Sequence, residues 1–98
     1  MSNVPDKWCL VPVSEDRIKV MATWAGSYLY GSSWKLNSGI KKVEDKGESW
    51  LFTGESGSEY DCRKTGYGLN AYGAGILAQG ELDVMNEEEA TKWIEEQL

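Results

Sequence analysis

The chain has 98 residues, with 16 acids against 10 bases and no histidine. That length accommodates a single domain, 1–98, with a core so small that association with further copies would add stability. The missing histidine excludes Ser-His-Asp and Cys-His catalysis and every His-based metal site. No apolar run approaches the roughly 20 residues of a membrane span.

The charge is unevenly placed. Residues 81–98 hold Glu81, Asp83, Glu87, Glu88, Glu89, Glu95 and Glu96 against Lys92 alone, whereas residues 1–80 hold nine acids and nine bases. The acidity therefore belongs to the last segment. Without a basic stripe to displace counterions, long nucleic acid is not an expected partner. Met1 to Lys7 is polar and has no apolar leader stretch, so a cytoplasmic location and no membrane partner are expected. Cys9 and Cys62 form no C-x-x-C pair and cannot alone build a zinc site. They are expected as reduced, buried thiols, and no cofactor or metal is expected.

In chain order, the β-rich body spans 7–84. Trp8 to Val13 reads as a strand, with Pro12 favouring an edge or a strand end. Ser14-Glu15-Asp16 turns the chain. Arg17 to Trp24 alternates: Ile18, Val20, Ala22 and Trp24 lie on one face, expected to be buried, and Arg17, Lys19, Met21 and Thr23 on the other. Ser27 to Leu36 carries Tyr28, Tyr30, Trp34 and Leu36 on one parity, with Gly31 as a candidate bulge. Asn37-Ser38-Gly39 turns. Ile40 to Glu44 and Ser49 to Thr53 form a hairpin about Asp45-Lys46-Gly47. Gly54 to Gly57 turns again before a strand from Ser58 to Lys64.

Residues 66–80 contain Gly66, Gly68, Gly73, Gly75 and Gly80. They predict an irregular loop running into a short strand at Glu81 to Val84. The C-terminal helix, 86–98, starts at Asn86 as N-cap, with Glu89 placed for a capping box and Glu87, Glu88 and Glu89 in the first turn, where the helix dipole favours acids. Ala90, Trp93, Ile94 and Leu98 make one apolar stripe, with Trp93 the expected anchor. Turns recurring about every ten residues predict a mainly β (α+β) fold, a small, strongly bent antiparallel sheet or barrel-like domain with one C-terminal helix.

Five Trp and five Tyr are a heavy aromatic load for this length. Tyr60, Arg63, Lys64, Tyr67 and Tyr72 cluster beside the glycine-rich segment. Aromatic faces stack on bases, Arg and Lys pair with phosphate, and glycine N–H groups can form an anion nest, so these five are the candidate small-nucleotide site. Taken singly, each has a core or surface explanation. Glu55, Glu59 and Asp61 are acids on and beside a strand and lack the pattern of a two-carboxylate hydrolase. Gly66-Tyr67-Gly68-Leu69-Asn70-Ala71 has two of the three glycines of a dinucleotide fingerprint and follows no βα unit.

Trp34-Lys35-Leu36-Asn37-Ser38-Gly39-Ile40, followed by Gly54-Glu55-Ser56-Gly57-Ser58-Glu59-Tyr60-Asp61-Cys62, resembles small accessory proteins of tailed bacteriophages. The resemblance covers about the middle third of the chain and matches no site motif. It implies a compact, non-enzymatic host-takeover or anti-defence factor acting by occupancy in the host bacterial cytoplasm. Two modes of action fit. A homo-oligomer could sequester a small nucleotide immune signal between protomers. Alternatively, the acidic helix could block a host defence protein as an inhibitor or partial DNA mimic.

Overall fold

The computed structural model describes residues 2–14, 17–24, 33–68, 71–80 and 83–98. Among these residues are seven strands and two α-helices: β1 (Ser2–Asn3), β2 (Lys7–Ser14), β3 (Arg17–Trp24), β4 (Ser33–Leu36), β5 (Ile40–Asp45), β6 (Ser49–Gly54), β7 (Glu59–Arg63), α1 (Ala71–Gly80) and α2 (Glu87–Glu96). The strands form two sheets, ordered β1-β7-β6-β5 and β2-β3-β4. All pairings are antiparallel except that of β1 with β7. The mainly β fold with a C-terminal helix is as expected. The turn at Glu15 and Asp16, the first half of the Ser27–Leu36 strand and its bulge at Gly31 lie outside the described residues. Among the described residues no helix is long and apolar enough to cross a membrane.

The two sheets share one core. Trp8, Leu10, Val20 and Ala22 of β2 and β3 pack with Val43, Trp50, Phe52, Tyr60 and Cys62 of β5, β6 and β7, and Ala90 and Ile94 of α2 complete the cluster. The sheets are joined at Asn37, whose backbone N–H donates to the Val20 carbonyl at 3.0 Å. Its Oδ1 accepts the Val20 N–H at 2.8 Å and the Gly39 N–H at 3.3 Å. Gly39 has φ +134°, and a Cβ there would stand 2.2 Å from Glu55 Oε2. The Glu55 carboxylate could swing aside, but the positive φ remains a conformation that favours glycine.

Two local expectations are corrected. β3 does not have one buried face. Met21 and Thr23, on the face expected to be polar, are buried as fully as Val20 and Ala22. The cause is the second correction: Ala71 to Gly80 is a helix and not an irregular loop. Leu77 of α1 joins Cys9, Val11 and Met21 in a second apolar cluster on the outer side of β2 and β3. Ala71, Ala74 and Ala78 are strong helix formers, and docking through Leu77 offsets the cost of the glycines. Thr23 is tolerated inside because its hydroxyl donates to the Lys7 carbonyl at 3.1 Å. After α1, Asp83 and Val84 belong to no strand; Glu81 lies outside the described residues.

α2 starts as its sequence dictates. Asn86 Oδ1 accepts the Glu89 N–H at 2.8 Å, and Glu89 Oε1 accepts the Asn86 N–H at 3.3 Å. Its anchors are Ala90 and Ile94, both essentially inaccessible; Trp93, as expected, packs against the same cluster but is only partly buried, and Leu98 is 60 % exposed. A short helix needs such docking, since an isolated one of this length is marginal in water.

Candidate functional site

Alternation along β7 sends Tyr60 and Cys62 inward and leaves Asp61 and Arg63 facing out. The chain then tightens into a 3₁₀ turn over Lys64–Gly66. Lys64 is held in place: its Nζ lies 2.8 Å from Asp45 Oδ1 and 4.1 Å from the centroid of the Trp50 ring. The Lys64 ammonium holds the Asp45 carboxyl below its ordinary range, with help from the Gly47 N–H. Arg63 offers its carbonyl to Trp8 Nε1 at 2.6 Å, and its guanidinium makes no ion pair with any described residue. Arg63 and Lys64 line one groove of about 650 Å³ with Ser49, Thr65, Glu48 and Asp61. Two cations and two carboxylates thus face the same space.

The tyrosines are placed elsewhere. Tyr60 is 4 % exposed within the core between the sheets, and burial pushes its phenol up. Tyr67 stands edge-on to Trp8, 4.8 Å between ring centroids. Its oxygen accepts the Leu10 N–H at 3.2 Å and its hydroxyl donates to the Met85 carbonyl. Burial pushes this phenol up to about 12, against the lowering effect of the Leu10 N–H. Neither ring borders the Arg63 groove. The Tyr72 side chain lies outside the described residues. Of the five residues grouped by sequence, Arg63 and Lys64 share a site, and Tyr60 and Tyr67 serve as packing and as a clip.

Cys9 and Cys62 are free and buried in different clusters. Burial pushes the Cys9 thiol up to about 12 and the Cys62 thiol well above its usual value, with the Asp61 carboxylate adding to the latter. Neither forms a thiolate nucleophile near neutral pH. Glu55 is ion-paired with Arg17 at 3.4 Å. Among the described residues no three His, Cys, Asp or Glu side chains converge as metal ligands.

The opposite side of the chain's charge is displayed on α2. Glu87, Glu88, Thr91, Lys92, Glu95 and Glu96 line its outer side along a shallow depression of about 830 Å³. These positions recur at three- and four-residue steps, so they form one face while Ala90 and Ile94 point into the core. Sequence reading did not identify the crossover at Asn37. Its signal was present in two turn segments, Asn37-Ser38-Gly39 and Gly54 to Gly57, without anything to show that they meet. They do: the Glu55 N–H donates to the Gly39 carbonyl at 2.9 Å, and the Ser56 N–H to Ser38 Oγ at 3.1 Å.

Comparison with protein-family models, with curated proteins and with solved structures finds no match for this chain.

Proposed function

We propose that the protein is a non-enzymatic binding protein that acts by occupying a basic surface of a host protein through the acidic face of α2. The observation that carries this reading is the rigid display of Glu87, Glu88, Glu95 and Glu96 on a helix whose other face is locked into the core by Ala90 and Ile94. Acidic charge fixed in this way steers encounter with a basic partner and selects against acidic ones. The resemblance to phage accessory proteins makes an anti-defence role the natural setting. Phage plating on defence-bearing cells tests it. The wild type should restore plating, reversal of these four glutamates to lysine should abolish it, and Arg63→Ala should leave it intact. Restoration by the reversed variant sinks the reading.

A second reading, sequestration of a small nucleotide immune signal by a homo-oligomer, is favoured by one observation. The Arg63 guanidinium has no ion pair among the described residues and borders a groove whose volume suits a small molecule. Glu48 and Asp61 oppose phosphate there, and Lys64 is already committed to Asp45. Calorimetry against linear and cyclic nucleotides decides it: binding that Arg63→Ala weakens supports capture, and no binding removes it.

A further inference from the structure

The open edge of the larger sheet carries a self-complementary charge pattern. Among the described residues β5 pairs only with β6, at the end of its sheet. At the hairpin, the Lys46 N–H donates to the Ser49 carbonyl at 2.9 Å. Hydrogen-bonded and non-hydrogen-bonded pairs alternate along an antiparallel ladder. Glu44 with Leu51 and Lys42 with Thr53 are therefore hydrogen-bonded pairs, and Val43, opposite Phe52, is not. Val43 turns its N–H and C=O to the open side, where no described residue meets them.

Lysines on an open edge commonly prevent strand pairing. Here Lys42 and Glu44 flank Val43 at equal distance; within one copy they are ion-paired with each other at 2.8 Å, and Glu44 also with Lys46 at 3.0 Å, and a second copy can extend this pair into a network across the edge. In an antiparallel pairing of two copies about Val43, Lys42 of each copy faces Glu44 of the other, while Asp45 stays paired with Lys64 of its own copy. Parallel in-register pairing would instead set like charges side by side. Beside this edge, Ile40, Lys41, Val43, Trp93 and Leu98 line a cleft of about 370 Å³. Leu98 is 60 % exposed and Trp93 only half-buried, so this apolar rim is left open by a single copy.

We propose that β5 pairs with β5 of a second copy, antiparallel and centred on Val43, to join the two larger sheets across a two-fold axis. Such an isologous contact closes on itself and gives a dimer. The Val43 backbone groups bond to their symmetry mates, and the Lys42 and Glu44 side chains repeat their match on both sides of the axis. This inference stands independently of the α2 reading, because it uses the β5 edge and the rim at Trp93 and Leu98 and not the acidic face of α2.

Charge reversal tests it without touching the core. Lys42 and Glu44 lie on the outer face and their mutual ion pair is largely exposed, so Lys42→Glu and Glu44→Lys should each keep the wild-type circular dichroism and shift the unfolding transition only slightly. In sedimentation equilibrium and native mass spectrometry the wild type should be a dimer. Each single variant should raise the dimer dissociation constant by about tenfold or more, because like charges then face each other twice. Mixing the two variants should restore pairing as a heterodimer, since the two acids of one copy then face the two lysines of the other. A wild-type monomer at every concentration overturns the proposal. So does a dimer that neither variant weakens, or a mixture that forms no heterodimer.

Discussion

The hydroxyl of Tyr67 donates to the carbonyl of Met85, the residue just before the cap of α2. The same oxygen accepts the Leu10 N–H at 3.2 Å. Close by, the Gly68 N–H donates to the Trp8 carbonyl at 2.8 Å and the Met85 N–H to the Leu10 carbonyl at 3.0 Å. The outer edge of β2 is therefore paired by irregular chain on both sides of α1, and one phenol ties the two passes together.

Tyr67→Phe keeps the ring against Trp8 and leaves the Leu10 N–H and the Met85 carbonyl without this partner. It should destabilise the domain by about 1–3 kcal/mol. Urea unfolding measures this. An unchanged midpoint would mean that water replaces the hydroxyl. In the nucleotide-capture reading, the same variant should bind as the wild type does, because Tyr67 does not border the Arg63 groove.

Stability should fall at alkaline pH. Tyr67 is raised from 10.0 to about 12 and Cys9 from 9.0 to about 12, both chiefly by burial. Each folded-state value lies above its unfolded value, so the folded chain holds these protons more tightly. Their contribution is complete below the unfolded values and is lost as pH rises through the folded ones. Urea midpoints should be level near pH 8 and decline from about pH 9 upwards, and Tyr67→Phe should shallow the decline above about pH 10. A flat profile in the wild type would contradict the burial of both groups.

Ile94→Ala should cost about 2–5 kcal/mol, because Ile94 is fully enclosed between the sheets. Trp93→Ala should cost less despite removing a larger side chain, because Trp93 packs at the rim of the core and is only partly buried. Denaturant melts of the pair check the order. The reverse order would make Trp93 the anchor.

Gly75→Ala should stabilise the chain by about 0.5–1 kcal/mol. Gly75 lies inside α1 and is exposed, and a Cβ there meets nothing within 4 Å. Alanine removes conformational freedom from the unfolded chain and leaves the folded one undisturbed. Thermal unfolding should show a higher midpoint; a lower one would count against a helix at this position.

The elements that the sequence determined are those with local causes. Alternation set β3 and β7. The Asp45-Lys46-Gly47 turn set the β5–β6 hairpin, where the Gly47 N–H donates to Asp45 Oδ1 at 2.8 Å. The side chain of Asn86 set the start of α2. Each is a short-range choice between few backbone conformations, and the residues present favour one. Tertiary structure decided everything that depends on which surfaces meet. α1 forms because Leu77 finds an apolar seat on β2 and β3, which local glycine content argues against. That seat is also why Met21 is buried on a face read as polar. The five residues grouped as a nucleotide site were grouped by nearness in sequence. Strand alternation and the 3₁₀ turn then sent Tyr60 inward, spent the Tyr67 hydroxyl on backbone groups, and left Arg63 and Lys64 at the groove. Nearness along a chain does not fix direction in space; that is set by the pleat, and by which buried polar groups need a partner.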